Sequence, residues 1–259
     1  MIKKVENTKQ VKHIFNNCED TIVWSCLQGI MGDIYVDDEK NPTSSMAILG
    51  DFIFFAGEPK EEIVLYKPNG CKGDFIIMVP TNDSWGECIE QCYKDKARKI
   101  CRYATKKESN IFDKKKLEQI VDTLPQDYEI KLIDEDIYYK CREQSWCRDL
   151  VSQYKDYNSY NNYGLGVAIL KDGEVVSGAS SYSRYEGGIE IEIDTNEKYR
   201  RKGLAYICGA KLILECLKRN LYPSWDAQNK WSLALAEKLG YHYSHTYNAY
   251  EIWGYTHNM

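Results

Sequence analysis

A basic turn in the second half of the chain carries the residues best suited to bind an anion. It reads Tyr199-Arg200-Arg201-Lys202-Gly203-Leu204-Ala205, with three consecutive cations before one glycine. If a helix begins at this turn, its first amides have no partner within the helix and its dipole is positive there. Gly203 lets a ligand approach the backbone closely, because it has no side chain. The turn therefore predicts a phosphate or pyrophosphate site, and a solvated basic surface is the alternative interpretation.

An acidic segment precedes this turn and offers a second kind of chemistry. Glu190, Glu192 and Asp194 alternate with isoleucines at positions 189, 191 and 193. Alternation with period 2 predicts a strand with one buried face. In a cleft, the acidic face would attract a cationic amine, and one of the glutamates could take its proton. The alternative is a solvated strand face without a catalytic role.

The elements around these two segments are predicted from periodicity and turn chemistry. Strands on either side of Lys171-Asp172-Gly173 form a hairpin, because Asp-Gly favours a two-residue turn. A helix follows the basic turn, and a second helix, 229–239, stops at Gly240. The tyrosine-rich segment 154–163 is polar and is predicted to be a loop. From Tyr128 onward, the predicted order is β-α-α-β-β-β-α-β-α-β.

Pro125-Gln126-Asp127 predicts a boundary between an N-terminal α/β domain, 1–126, and a second domain, 127–259. The first half alternates strands and helices, so its class is α/β, or α+β if its early strands are antiparallel. No nucleophile with a base and no phosphate loop is recognised there.

Composition limits the classes of function. The 259 residues are 43% hydrophobic and 28% charged, and the net charge of −5 gives no sign of nucleic-acid or membrane binding. No apolar run approaches a membrane span and no signal core begins the chain, so we expect a cytoplasmic protein. The ten cysteines lack the spacing of a zinc site, so reduced thiols and no bound metal are expected.

Two motifs then identify a family. Residues 200–205 match the pattern Gln/Arg-x-x-Gly-x-Gly/Ala, and Trp225-Asp226-Ala227-Gln228-Asn229 is followed by Leu-Ala-Glu-Lys-Leu-Gly-Tyr at 235–241. With these motifs in this order after the hairpin, the second half resembles the GNAT superfamily of N-acetyltransferases. It is most similar to a bacterial subgroup with an additional N-terminal region. Segment 32–57 resembles a second GNAT hairpin, which suggests that the N-terminal half is a degenerate GNAT-like copy. The resemblance implies a mixed, mostly antiparallel central sheet flanked by helices.

The resemblance also implies acetyl-coenzyme A as cofactor and assigns residues to its parts. Ile193 and Thr195 would pair through their backbones with the pantetheine arm. Asn229 would form a hydrogen bond with the pantetheine or order the end of the preceding strand. Ser232 would add a hydroxyl group to the same site. Arg200 is either a phosphate ligand or an ion-pair partner of Glu197. The pyrophosphate would lie on the turn, against Arg200, Arg201, Lys202, Gly203, Leu204 and Ala205.

Catalysis is assigned to the acidic strand, with Glu190 where related enzymes often carry a base and Glu192 beside it. The chain differs from the family pattern at the general acid that would protonate the departing thiolate. Many members carry this acid as a tyrosine in the last helix, at a position that Ala236 occupies here. Tyr241, where phenylalanine is usual, is expected in the core. A thiolate can leave without a dedicated acid.

Three functions remain open from the sequence. The first is an acyltransferase that acetylates a primary amine of a small molecule. The second is a non-catalytic acyl-CoA-binding or regulatory module, and the third is a protein N-acetyltransferase. The sequence leaves open whether the chain forms a homodimer.

Overall fold

The structure, a computed structural model, describes residues 1–16, 18–68 and 73–255. The chain divides into two compact units, which are residues 1–102 with 246–259, and residues 103–245. No helix in the described ranges is both long and apolar enough to cross a membrane.

The first unit is built on one sheet whose strands lie in the order β1-β2-β3-β4-β5-β13-β6, where β13 is Tyr243–Trp253 near the end of the chain. Neighbouring strands from β1 to β4 are antiparallel, and β4 and β5 are parallel. Its core is aromatic: the Trp85 ring stacks on Phe55 at 5.0 Å, and its indole N–H donates to the Gly57 carbonyl at 3.0 Å. The elements of the first part of the chain are β1 (Lys3–Lys4), α1 (Thr21–Leu27), β2 (Asp33–Val36), β3 (Ser44–Leu49), β4 (Phe52–Gly57), α2 (Glu61–Val64), β5 (Phe75–Pro80), α3 (Asp83–Tyr93) and β6 (Ala97–Thr105).

The second unit contains a five-stranded sheet of order β11-β10-β9-β8-β7. The pairs from β7 to β10 are antiparallel, and β10 and β11 are parallel. This is the mixed, mostly antiparallel sheet that was predicted. The remaining elements are α4 (Lys114–Asp122), β7 (Glu129–Leu132), α5 (Glu135–Glu143), α6 (Tyr157–Tyr163), β8 (Gly166–Lys171), β9 (Glu174–Tyr185), β10 (Gly188–Thr195), α7 (Leu204–Lys218), β11 (Tyr222–Ser224), β12 (Asp226–Ala227), α8 (Lys230–Leu239) and β13 (Tyr243–Trp253).

The compact units do not divide the chain at the predicted boundary between residues 126 and 127. Helix α4 lies before that boundary, yet Leu117 and Ile120 are buried in the core that α7 also lines. At the other end of the chain, Tyr250 and Ile252 on β13 are buried in the core of the first unit. Apolar burial therefore places α4 in the second unit and the later residues of β13 in the first.

The tyrosine-rich segment is not the predicted loop, because residues 157–163 form α6. Asp156 caps this helix by accepting a hydrogen bond from the Ser159 amide at 2.7 Å. Tyr160 is buried and its hydroxyl lies 2.9 Å from Ser180 Oγ. The tyrosine-rich segment is thus a short helix that packs Tyr160 against the sheet, while Tyr163 is exposed.

The two units share part of their topology. In each, a run of antiparallel strands leads to a parallel pair, and a helix connects the members of that pair. The connecting helix is α2 in the first unit, with 4 residues, and α7 in the second, with 15 residues. This repeat supports the prediction that the N-terminal half is a degenerate copy.

Candidate functional site

Strand β10 pairs with β9 along its whole length but with β11 only at its beginning. The parallel pairing joins Gly188 to Tyr222 and ends where Glu190 meets Ser224. Beyond that point the chain turns away, and β12 pairs with Ala104 and Tyr103 on β6 instead. The edge of β10 from residue 191 to residue 195 is therefore uncovered by β11. We refer to this divergence of β10 and β11 as the fork.

The backbone groups of Ile193 and Thr195 face the fork. The Asn196 amide donates to the Val176 carbonyl at 3.0 Å, and ladder-bonded residues alternate along an antiparallel strand. Ile193 and Thr195 therefore direct their amides and carbonyls away from β9. The Ile193 amide donates to Glu192 Oε1 at 3.1 Å, and the Thr195 carbonyl accepts from Arg200 Nε at 3.4 Å. Their orientation suits pairing with an extended ligand.

Helix α7 presents a run of uncommitted amides at its N-terminus. Its first hydrogen bond runs from the Ile207 amide to the Gly203 carbonyl at 3.1 Å. Within the described ranges, the amides of residues 201–206 donate no hydrogen bond. The backbone of Gly203 has the left-handed conformation, with φ 80°. A Cβ atom built on this residue would meet no heavy atom within 4 Å, so the space beside it is open. These amides and this open approach form a cradle for an anion.

The cations of the turn are exposed around this cradle. Arg200, Arg201 and Lys202 are all exposed, and Lys202 Nζ lies 4.9 Å from the centre of the Tyr199 ring. Arg200 and Glu197 form no ion pair in the part of the chain that the structure describes. The guanidinium bonds the Thr195 carbonyl instead, so the alternative role predicted for Arg200 is not observed.

Asn229 and Ser232 lie at the beginning of α8, where their oxygens serve the local structure. Asn229 Oδ1 caps the helix by accepting from the amides of Trp231 and Ser232 at 3.0 and 2.9 Å. Ser232 Oγ accepts from the indole N–H of Trp225 at 3.1 Å. Both side chains therefore fix the entry to α8, and contact with a ligand remains a prediction for them.

The two glutamates on β10 differ in their surroundings. Glu190 is buried, and its Oε1 accepts the Asp226 amide at 2.7 Å. This bond joins β10 to the chain just after β11 ends, so Glu190 stands at the apex of the fork. Glu192 is half-buried and accepts the amide of the next residue. Glu190 is thus the better positioned of the two to act on a ligand in the fork.

Asp194 was not selected from the sequence as a site residue, although it continues the acidic alternation. Burial raises the pKa of its carboxyl to about 7, and the negative charge of Asp149 adds to this shift, which Arg200 opposes. Asp149 belongs to a short 3₁₀ helix, Arg148–Leu150, that contacts β10. The shift in pKa therefore depends on burial of the carboxyl in the folded chain, and the packing of that segment against the strand adds to it.

We expect Asp194→Asn to change how stability depends on pH. Because the folded pKa lies above the unfolded value of about 3.9, the wild type loses stability as the pH rises from about 4 to about 7. The variant lacks this loss, so its stability relative to wild type rises over that range and is level above it. Chemical denaturation between pH 4.5 and 8 measures this, with the exposed Asp122→Asn as control. Parallel curves for Asp194→Asn and wild type would contradict the assignment.

The remaining positions of the second motif are in the core. Ala236 is fully buried, and Tyr241 packs on Trp225 and Phe112 with ring centres 5.6 and 5.0 Å apart. The Tyr241 hydroxyl donates to the Pro223 carbonyl at 2.6 Å. The prediction that Tyr241 is a core residue is confirmed.

In the first unit, the turn that corresponds to the basic turn is already neutralised. Lys60 precedes α2, and its ammonium lies 2.5 Å from Asp37 Oδ2 and 2.9 Å from Thr43 Oγ1. Asp37 also accepts the amides of Thr43 and Ser44, each at 3.0 Å. The pKa of Asp37 is lowered by these bonds, which outweigh the effect of burial. The Asp37 carboxylate therefore already neutralises the Lys60 ammonium, which an anionic ligand at this turn would need as its partner.

Comparison with known proteins gives consistent results. The family model described as GNAT acetyltransferase matches residues 12–250. The chain is 31% identical over 248 residues to the "Uncharacterized N-acetyltransferase YdfB" of Bacillus subtilis (strain 168), covering 85% of this chain and 86% of the relative. A crystal structure of a GCN5-related N-acetyltransferase-like protein from Streptococcus suis 89/1591 shares 48% identity with a TM-score of 0.90, over 96% of this chain and 98% of that one.

A third comparison concerns the fold alone, because its identity is 8%. It is a tandem GNAT protein from the clavulanic acid biosynthesis pathway, with a TM-score of 0.53 over 98% of each chain. Its tandem arrangement agrees with the repeated topology of the two units.

Proposed function

Because this chain belongs to the GNAT acetyltransferase family, whose chemistry is acetyl transfer, we propose that it moves an acetyl group from acetyl-CoA to a primary amine of a small molecule. The chain is an acyltransferase by its family. The donor, the class of acceptor and the part played by each residue are our proposal.

The main support is the run of uncommitted amides at the N-terminus of α7. Residues 201–206 offer backbone donors at the positive end of a helix of 15 residues, which suits a pyrophosphate. The open space at Gly203 allows such a group to reach them. The exposed side chains of Arg200, Arg201 and Lys202 add positive charge. The fork then offers the backbones of Ile193 and Thr195 to an extended chain such as pantetheine.

Acetyl-CoA would supply an acetyl group activated as a thioester. Glu190 would accept the proton that the amine loses, since its carboxylate stands at the apex of the fork. The bond from the Asp226 amide holds this carboxylate in place. Glu192, half-buried on the same strand, would add negative charge that attracts a cationic acceptor.

Ala236 favours one alternative, a non-catalytic acyl-CoA-binding module. Its methyl group is buried at the register where many relatives carry a tyrosine, so an acid cannot come from that position. Saturable turnover would exclude this alternative. Turnover of a polypeptide but not of small amines would favour a protein N-acetyltransferase.

Isothermal titration with acetyl-CoA, coenzyme A and ATP tests the donor first. We expect saturable binding of the first two ligands and weaker binding of ATP, which lacks the pantetheine arm. Release of free thiol in the presence of a panel of small amines then tests the reaction. Lack of binding by acetyl-CoA and coenzyme A would overturn the proposal.

A further inference from the structure

One buried hydroxyl group on β9 has no partner among the residues that the structure describes. Among buried side-chain oxygen and nitrogen atoms of the described residues, Ser183 Oγ alone makes no hydrogen bond. Ser183 is 0% exposed, and a buried donor without a partner costs about 1–3 kcal/mol. Native proteins usually satisfy such groups, often with an ordered water molecule.

Ser183 lies directly across the sheet from Glu190. The two residues are paired in the antiparallel ladder of β9 and β10, so their side chains project from the same face, with Cβ atoms about 5 Å apart. The register shifts immediately afterwards, because Ile191 pairs with Ser181 and leaves Tyr182 unmatched. The hydroxyl therefore lies beside the carboxylate at the apex of the fork, where a bulge bends the sheet.

Three tyrosine hydroxyl groups near the beginning of β10 already have acceptors. Tyr241 donates to the Pro223 carbonyl at 2.6 Å, and Tyr222 to the Lys106 carbonyl at 3.0 Å. Tyr185 donates to the Tyr222 carbonyl at 3.5 Å. These phenols are held by the backbone. Among the fully buried side-chain polar atoms of the described residues, Ser183 Oγ is the one left for a group from outside the chain.

We infer that Ser183 Oγ and the Glu190 carboxylate together bind one water molecule, which passes the proton of the acceptor amine to Glu190. In the transfer the C–N bond forms and the C–S bond breaks, with its electron pair leaving on sulfur. The nitrogen proton moves to the water while a proton of that water moves to Glu190. Ser183 is then a positioning residue that acts through Glu190. The inference rests on the proposed function for its catalytic part.

Thermal unfolding of Ser183→Ala tests the bound water without any assay of activity. If Ser183 binds water, the variant loses that contact and its Tm is at or below the wild-type value. If the hydroxyl is unsatisfied in solution, its removal takes away a penalty and raises the Tm, which would overturn the inference. Ser181→Ala calibrates the scale on the same strand, because Ser181 Oγ lies 2.7 Å from Tyr154 Oη and accepts the Leu165 amide at 2.9 Å.

Kinetics test the role of the water in catalysis. We expect Ser183→Ala to lower kcat about tenfold, below the typical contribution of a base, with the KM for acetyl-CoA unchanged. In the Glu190→Gln background it should have no further effect, because it acts through Glu190. Ser183→Thr, which keeps the hydroxyl, should recover part of the lost kcat. An equal loss in both backgrounds, or no loss in either, would overturn the inference.

The two proposals fail in different ways. If the wild type transfers acetyl to no amine, the proposed function fails, while the comparison of Tm values still decides whether Ser183 has a partner. If the wild type turns over and Ser183→Ala matches it in kcat, the inference about Ser183 fails alone.

Discussion

Gly203→Glu is expected to reduce the affinity for acetyl-CoA by at least about 100-fold, a loss of roughly 2.7 kcal/mol or more. The new side chain would begin in the open space over the amides of residues 201–206. Its carboxylate would repel the pyrophosphate and compete for the same donors. Hydrogen bonds to a charged group contribute about 1.5–3 kcal/mol each, so loss of one or two suffices. Isothermal titration measures the change.

Gly187→Glu is the matched control for this variant. Gly187 has φ 87° against 80° for Gly203, and a Cβ atom at either position meets nothing within 4 Å. The backbone strain of the two substitutions is therefore similar. Gly187 precedes β10, whereas Gly203 follows it, so the control lies at the other end of the strand. Wild-type affinity in Gly203→Glu, or an equal loss in Gly187→Glu, would remove the proposed phosphate cradle.

Glu190→Gln is expected to lower kcat by about 10²- to 10⁴-fold, the usual contribution of a general base, while acetyl-CoA binding is unchanged. The glutamine oxygen can still accept the Asp226 amide, which Glu190 Oε1 accepts at 2.7 Å. The apex of the fork is therefore preserved, and the substitution removes the ability to take up a proton. Thiol release at saturating acetyl-CoA measures kcat, and titration measures binding.

Two further variants sharpen this test. Glu174→Gln replaces an exposed carboxylate at the start of β9 and should leave kcat at the wild-type value. Glu192→Gln shows which carboxylate acts as base, since the loss in kcat should be smaller than for Glu190→Gln. Wild-type turnover in Glu190→Gln with a good acceptor would exclude Glu190, and a larger loss in Glu192→Gln would transfer the role to Glu192.

Local patterns predicted the strand, turn and helix around the proposed phosphate cradle. The alternation at residues 189–194 forms β10, and the helical spacing after Gly203 forms α7. The Asp-Gly hairpin and the stop at Gly240 are also present. These features depend on backbone conformations and periodicities within a few residues. For the same reason, the family motifs at 200–205 and 225–241 can be recognised without the fold.

Other features depend on contacts between distant parts of the chain, and only the tertiary structure decided them. The burial of Leu117 against α7 places α4 in the second unit, although Pro125 looked like the boundary. The raised pKa of Asp194 requires Asp149 and burial, and the bond from Asp226 to Glu190 joins residues 36 positions apart. The unsatisfied Ser183 hydroxyl depends on a cross-strand register. Contacts between residues far apart in the chain cannot be predicted from the spacing of nearby residues. The sequence by itself therefore predicted the proposed cradle, whereas the arrangement of the fork was decided by the tertiary structure.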